Sequence, residues 1–425
     1  MTDILTSYNV IIEVSVIVIL SFLFSEISRK TNIPAVIMLI ALGIALQIGL
    51  QAAGLQDLDF LPLLEVLGII GLIMIVLEAA LELELKREKY VPIAKAFVIA
   101  LIGLLGSMWP AALILHYSIE GMTMSAAWLY ATPLSILSSA IIIPSVSGLK
   151  TDKKEFHIYE STFSDILGIM VFYFLSGQMD ASEGSHGVAG FAGNVLLTIV
   201  VSLVASYIIL VIFQSIRSNT KFFLLISVLL LLYSVGKIYH LSSLIIILVF
   251  GLLIANMELF FRGRLSKLLK LEYAKQIYEG LHVVTMETAF IVRTFFFVIF
   301  GLTISLATLV RVDVAVISLL IILSIYLVRF LILRVFIGRD ILPQVFVAPR
   351  GLITILLFTN IPEEAQIAGF QPGILLFIII GTSLIMTFAM VSDKRRTSAA
   401  VRKAQSKPVG FERWKAPAVT EVREE

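Results

Sequence analysis

The sequence predicts an all-α polytopic membrane protein with about thirteen transmembrane helices. Two observations lead to this fold class. Of the 425 residues, 59% are hydrophobic and 15% are charged, and the mean hydropathy of +1.01 is too high for a soluble globular domain of this size. In addition, a bilayer crossing needs about 20 mostly apolar helical residues, and stretches of that length follow one another along most of the chain.

The apolar spans are joined by short polar connections. The division between the eighth and ninth spans is the weakest, because only Gly236, Lys237 and His240 interrupt the apolar run. In chain order we place the spans at residues 9–27, 33–52, 61–83, 90–115, 123–148, 156–176, 190–216, 222–236, 241–257, 281–306, 312–336, 342–361 and 370–391.

Basic residues are concentrated in the loops that follow odd-numbered spans. Lys150, Lys153 and Lys154 follow the fifth span, whereas the acidic Glu363 and Glu364 follow the twelfth. Because cytoplasmic loops carry the excess of Lys and Arg, we predict that the N-terminus lies outside and the C-terminus lies in the cytoplasm. The basic residues after the last span are expected to contact lipid headgroups.

The composition excludes several classes of function. The 32 Lys and Arg residues are nearly balanced by 30 Asp and Glu residues, which gives no reason to expect a nucleic-acid partner. The absence of cysteine excludes disulfides, thiolate metal sites and cysteine nucleophiles. No Walker A loop, HExxH helix or nucleophile elbow occurs in a usable context, so we expect neither an enzyme nor a bound cofactor. A gradient-driven transporter, a channel or an intramembrane scaffold fits this sequence.

Charged residues inside the spans are the first candidates for a functional site, because each is costly in a bilayer unless it is paired or hydrated. With a rise of ~1.5 Å per residue, Asp165 in the sixth span lies close to the bilayer midplane and Glu160 about 7 Å nearer the cytoplasm. Arg329 lies near the depth of Glu160, so we expect these two residues to form an ion pair. Arg350 can compete for the same carboxylate, and Arg293 also lies near mid-depth.

Each of these residues also has a purely structural interpretation. Asp165 can be a buried carboxylate that is paired with an arginine, and the Glu160–Arg329 pair can serve only to hold two helices together. Arg350 can simply stabilise an interrupted helix.

Two residues outside this group have a simpler expected role. Arg293 is best explained by an ion pair with Glu287 or Glu78. His157 lies near the cytoplasmic mouth, where imidazole can sense pH, but we expect it to be a solvated loop histidine.

Two spans are interrupted at similar depth. Proline removes a backbone donor and glycine permits non-helical backbone, so both expose carbonyl groups and helix ends within the membrane. Paired discontinuous helices at corresponding positions indicate inverted repeats with a binding site where the two breaks cross. The interrupting residues are Thr132, Pro133, Ser135, Ser138, Ser139 and Pro144 in the fifth span, and Pro349, Arg350 and Gly351 in the twelfth.

Hydroxyl groups near the breaks are candidate cation ligands. Beside Asp165 they can supply neutral oxygens to a dehydrated cation, or they can bond only to the backbone of a kinked helix. The candidates are Thr132, Ser138, Ser139 and Ser164.

The ordered set of motifs resembles the monovalent cation/proton antiporter superfamily, of the Na⁺/H⁺ exchanger type. Residues 160–165 (Glu-Ser-Thr-Phe-Ser-Asp) resemble its Glu-Ser-x-x-Asn-Asp signature, and residues 348–351 (Ala-Pro-Arg-Gly) resemble its Arg-Gly motif. Arg329 matches the basic residue of the preceding helix. Further similarity lies in the aromatic-glycine helix at 295–301, the third-helix Gly-Leu-Glu element at 77–82, and the start of the second helix at 32–34.

The sequence departs from the superfamily pattern in two places. Thr132-Pro133 lacks the aspartate of the Thr-Asp-Pro motif. Before the key aspartate, this sequence has Ser164 instead of Asn, Gln or a second Asp. Residues 138–140 (Ser-Ser-Ala) are more similar to the Ser-Ser-Thr of a second branch.

The resemblance implies an NhaA-like antiporter fold with a membrane transport domain at residues 1–391 and a cytoplasmic polar tail at 392–425. Within the domain it implies scaffold and dimerisation helices, core transport helices and a linker helix. The scaffold covers about 9–85 and 222–306, the core about 90–176 and 312–391, and the linker about 190–216.

The resemblance also implies a homodimer in the plasma membrane that exchanges Na⁺ or K⁺ for H⁺. With a single carboxylate at Asp165, we expect electroneutral exchange of one cation for one proton. The core charge network would consist of Glu160, Arg329, Arg350 and Arg293.

Two alternatives belong to other functional classes. The first is a cation channel or uniporter without proton coupling, which is favoured by the missing aspartate next to Thr132. The second is a Na⁺-coupled organic-anion symporter, which is disfavoured by the midplane Asp165. Dependence on protons distinguishes the antiporter from the uniporter, and uptake of a bulky anion identifies the symporter.

Overall fold

The computed structural model describes residues 7–31, 34–52, 61–83, 85, 87–179, 187–214, 216, 221–238, 243–260, 271–303 and 311–405. The regular structure of these residues is helical, without a strand. The α-helices are α1 (Ser7–Thr31), α2 (Ala35–Ala52), α3 (Leu61–Glu82), α4 (Tyr90–Ser118), α5 (Met124–Ser135), α6 (Ser139–Ser145), α7 (Thr151–Gly177), α8 (Gly187–Phe213), α9 (Lys221–Ile238), α10 (Ser243–Ala255), α11 (Met257–Phe260), α12 (Leu271–Thr303), α13 (Val312–Phe336), α14 (Leu352–Thr359) and α15 (Gly373–Gln405).

Each of the thirteen predicted spans overlaps at least one of these helices, and the fifth span contains both α5 and α6. Eight segments of the described chain are long and apolar enough to cross a bilayer, and one of them is the interrupted segment Met124–Ser145. Shorter apolar helices lie at Val14–Ser28, Phe222–Gly236 and Leu244–Ala255. The predicted all-α, multi-pass fold class is confirmed.

Several helices are longer than the apolar spans that predicted them. The helix α7 begins at Thr151 instead of residue 156, and α12 begins at Leu271 instead of residue 281. The helix α15 continues to Gln405, well into the predicted polar tail, whose residues 406–425 lie outside the described part of the chain. Hydropathy marks only the part of a helix inside hydrocarbon, whereas Lys, Arg and Glu continue a helix readily in water.

The helices pack in two groups. In the first group α4 packs on α5, α7 and α13, while α15 lies against α13 and α14 packs on α5 and α7. In the second group α12 packs on α2 and α3, and α10 packs on α3, α8 and α9. The groups meet where α3 and α10 approach α7, and where α3 approaches α14.

Close backbone packing stabilises the second group. A Cβ at Gly43 of α2 would lie 2.1 Å from the carbonyl oxygen of Val298 in α12, so only glycine permits this approach.

At the end of α3, Asn256 donates its side-chain N–H to the Leu83 carbonyl at 2.8 Å and accepts the backbone N–H of Leu85 at 2.6 Å. These bonds satisfy backbone groups that the end of a helix leaves unpaired.

Candidate functional site

The two interrupted helices cross at their breaks. The helix α5 ends at Ser135, the break at residues 136–138 is non-helical, and α6 begins at Ser139. A second non-helical segment, at residues 347–351, precedes α14. The backbone N–H of Ser138 donates to the carbonyl of Pro349 at 3.0 Å, which joins the two breaks directly. The predicted pair of crossed discontinuous helices is therefore confirmed.

Gly351 allows this close approach. A Cβ at this position would lie 2.4 Å from the hydroxyl oxygen of Ser138 and 2.9 Å from its Cβ. Contacts this short would force the breaks apart. The glycine of the Arg-Gly motif is thus required by space at the crossing.

Arg350 is fully buried and bonds to backbone carbonyls around the crossing. Its guanidinium donates to the carbonyls of Leu134 at 2.8 Å, Ala348 at 2.8 Å and Ser135 at 3.2 Å, and its backbone N–H donates to the hydroxyl of Thr382 at 3.1 Å. Two of these carbonyls belong to the last turn of α5, where the helix dipole is negative. Arg350 therefore stabilises the interrupted helix rather than taking the carboxylate of Glu160.

Asp165 lies on α7 where the two helix groups meet, and only 2% of its surface is exposed. The hydroxyl and backbone N–H of Ser139, at the start of α6, face its carboxylate. Within the described chain, neither carboxylate oxygen reaches a hydrogen-bond partner, and no arginine pairs with it. The interpretation of Asp165 as one half of a structural ion pair is not supported.

A small cavity opens beside Asp165, with a volume of about 20 Å³. That is roughly the space of one water molecule. Its walls are apolar and come from both helix groups, including Ile75 of α3, Leu248 of α10 and Ile353 of α14. A carboxylate is thus exposed to a confined, mostly apolar space.

The four candidate hydroxyl ligands make different contacts. Ser139 faces it and Ser138 lies at the crossing. Ser164 instead accepts the backbone N–H of Leu137 at 3.0 Å, and Thr132 donates to the Trp128 carbonyl at 2.9 Å. Short hydroxyl side chains bond readily to a nearby backbone group, and this applies to Thr132.

Glu160 and Arg329 form the predicted ion pair. The two terminal guanidinium nitrogens each donate to one carboxylate oxygen at 2.9 Å, and the Arg329 Nε donates to the Gln344 carbonyl at 3.0 Å. Glu160 is 1% exposed and Arg329 is 8% exposed. The pair joins α7 to α13 inside the first helix group.

The prediction that His157 is a solvated loop residue is wrong. Because α7 begins at Thr151, His157 lies within the helix, and it is fully buried. Its Nδ1 lies 3.4 Å from a carboxylate oxygen of Glu160.

A second small cavity lies within the first helix group. Glu160, Arg329, Arg350 and Ser164 line it together with residues of α4. Ser164 and Asp165 are consecutive on α7, but Ser164 lines this cavity whereas Asp165 lines the first one.

Arg293 of α12 pairs with Glu78 of α3, which is one of its two predicted partners. Its Nη2 donates to Glu78 at 2.8 Å, and its Nη1 approaches the carbonyl of Ala140 in α6 at 3.4 Å. Sequence reasoning missed this second contact and also the apolar walls beside Asp165. Evenly apolar helices such as α10 carry no periodic signal for which face they bury.

Crossed broken helices around a buried carboxylate in an all-helical membrane domain are typical of ion transporters that are built from inverted repeats. Residues 16–392 match the family described as sodium/hydrogen exchanger, transmembrane. The chain belongs to this sodium/hydrogen exchanger family, whose members are transporters rather than enzymes.

Solved structures show the same fold. The structure of the sodium proton antiporter MjNhaP1 from Methanocaldococcus jannaschii at pH 8 matches with a TM-score of 0.65 and 21% identity, covering 90% of this chain and 97% of that chain. A three-dimensional electron microscopy map of the same antiporter matches with a TM-score of 0.65 and 18% identity, covering 97% and 100%. The comparison with curated proteins gives no match. The predicted family and fold are confirmed.

Proposed function

We propose that the protein exchanges Na⁺ or K⁺ for H⁺ by alternating access, with Asp165 as the shared binding group. The observation that carries this proposal is the buried Asp165 carboxylate, which has no counter-ion in the described chain and lies beside the crossing of the two breaks. An unpaired carboxylate at this depth is stable when it holds either a proton or a cation.

Competition at one carboxylate couples the two fluxes. A bound cation lowers the affinity of Asp165 for a proton, and a proton removes the charge that attracts the cation. Exchange of one cation for one proton follows from a single such group, so transport is electroneutral. Ser139, which faces the carboxylate, supplies neutral donors and an oxygen beside the site.

The two helix groups fit the proposed division into a moving core and a fixed scaffold. The group that contains α4–α7 and α13–α15 holds both breaks and Asp165, while α1–α3, α9, α10 and α12 form the proposed scaffold and α8 the linker. The cavity at Asp165 lies between the groups. Movement of one group past the other would open this cavity to either side of the membrane in turn.

The proposed orientation places the N-terminus outside and the C-terminus in the cytoplasm. It is supported by two ion pairs among residues that follow odd-numbered spans, Lys89 with Glu155 at 2.6 Å and Lys153 with Asp340 at 2.8 Å, where Glu155 and Lys153 lie at the start of α7. These loops therefore lie on one face, and Lys-rich loops are typically cytoplasmic. We further propose a homodimer in the plasma membrane.

The cavity also argues against the organic-anion alternative. Apart from Asp165 its lining is apolar, and among the described residues it contains no cationic side chain that could pair with an organic anion. The uniporter alternative rests on the missing aspartate after Thr132 and is addressed by the experiment below.

The test uses purified protein in liposomes with an imposed proton gradient and a pH-sensitive dye inside. Addition of Na⁺, K⁺, Li⁺ or choline is expected to dissipate the gradient for at least one alkali cation. Asp165→Asn is expected to reduce this rate at least 100-fold. Asp313→Asn, which changes a half-exposed aspartate at the start of α13, is the matched control and is expected to stay within twofold of the wild type.

If the proton gradient persists after addition of every cation while isotopic cation uptake continues, the protein is a uniporter rather than an antiporter. Undiminished exchange by Asp165→Asn would remove Asp165 from the site.

A further inference from the structure

Arg293 belongs to the predicted charge network but lies at the boundary between the two helix groups, and the proposed exchange gives it no role. It lies on α12 in the proposed scaffold, and its side chain is 19% exposed, as is that of Glu78. Its guanidinium contacts two different helix groups: Glu78 of α3 in the same group, and the Ala140 carbonyl of α6 in the other.

The contact with Ala140 lies one residue from the site. Ala140 follows Ser139, whose hydroxyl and N–H face Asp165. The cavity beside Asp165 lies at the boundary between the two helix groups and is called the boundary cavity below. Its neighbouring walls are apolar and include Val76 and Leu248. Apolar surfaces slide past each other without breaking a directional bond, whereas a hydrogen bond from a charged donor has a fixed partner.

Movement of the first helix group along the second must change the distance from Arg293 to Ala140. The ion pair with Glu78 would persist, because both of its residues belong to the same group. The arginine would therefore stay anchored on the scaffold while its bond to α6 breaks and forms.

We propose that Arg293 is a positioning residue that acts as a latch, holding α6 against the scaffold in the conformation seen here. Glu78 orients the guanidinium, and the Ala140 carbonyl is the group that is released when the core moves. The latch rests on the proposed alternating access, but the contact itself can be tested without transport.

The experiment uses the absence of natural cysteines to introduce one at the boundary cavity. Leu248→Cys places a thiol on a wall that is 8% exposed. The rate of labelling by a polar maleimide in detergent then reports how often the boundary opens. In this background Arg293→Gln is expected to raise the labelling rate about fivefold, as expected for loss of one hydrogen bond of average strength.

Three further variants separate a latch from simple neutralisation of Glu78. Arg293→Lys keeps the charge and is expected to lie between wild type and Arg293→Gln. The double variant Arg293→Gln with Glu78→Gln is expected to label as fast as Arg293→Gln alone, because the bond to α6 is still missing. Arg311→Gln, an exposed arginine at the start of α13, is the matched control and is expected to leave the rate unchanged.

A double variant that returns to the wild-type rate would overturn the latch and assign Arg293 to charge neutralisation alone. An unchanged rate for Arg293→Gln would overturn it as well. Neither result depends on ion exchange, so a failure of the proposed antiport would appear only in the liposome assay.

Discussion

The buried Glu160–Arg329 pair provides a stability prediction whose magnitude follows from its geometry. Glu160→Gln keeps the side-chain shape but leaves the Arg329 guanidinium, which is 8% exposed, without a counter-charge. Removing one partner of a buried pair costs about 3–5 kcal/mol. The remaining bond from Arg329 to the Gln344 carbonyl offsets little of this loss, since one hydrogen bond contributes about 1 kcal/mol.

The double variant Glu160→Gln with Arg329→Gln removes both charges together. It is expected to be more stable than Glu160→Gln alone, because no uncompensated charge is left. The double-mutant cycle should therefore give a coupling energy of roughly 2–3 kcal/mol.

The assay is reversible unfolding in mixed detergent micelles, followed by helix content. Glu155→Gln is the control, since it breaks a pair with Lys89 whose side chains are about one-third exposed. Partly exposed pairs contribute about 0–1 kcal/mol. If Glu160→Gln is no less stable than Glu155→Gln, or if the two single changes simply add, the pair does not couple α7 to α13 as its geometry indicates.

Two further predictions concern the crossing and the site. Gly351→Ala is expected to destabilise the protein and to reduce exchange at least tenfold, because the added Cβ would overlap Ser138. Adding Ser138→Gly is expected to restore part of the stability and part of the exchange rate. Melting and dye assays on Gly351→Ala, Ser138→Gly and the double variant check this, and a double variant without any rescue would contradict the steric reason. The apparent KM for the cation is expected to rise as the pH falls through the protonation of Asp165, approaching tenfold per pH unit. Initial exchange rates over a grid of pH and cation concentration measure this, and a KM that does not change with pH would rule out competition at one carboxylate.

Much of the fold could be predicted because the bilayer imposes simple rules. Apolar length located the helices, and depth along them brought Glu160 level with Arg329 before any contact was known. Proline and glycine at mid-depth marked the two breaks. These signals are local, so a single sequence is enough to show them.

The parts that could not be predicted depend on contacts between distant helices. The orientation of a hydroxyl such as Thr132 is decided by which carbonyl lies closest, and the partner of Arg293 by how α12 rotates toward α3. The burial of His157 depends on the face of α7 that it shares with Glu160, whose carboxylate lies 3.4 Å from its Nδ1. In each case the missing information is a rotation or an end point, which apolar content alone does not contain.

The backbone bond from Ser138 to Pro349 has a mechanical consequence. It connects two segments that are more than two hundred residues apart in the chain, so a displacement of one break is transmitted to the other without a flexible linker. Arg350 adds hydrogen bonds to three carbonyls around the crossing, so we expect the two breaks to move together as one rigid unit. A cation held between Asp165 and Ser139 would therefore keep these two neighbours while the first helix group moves, and only the apolar walls from the second group would change.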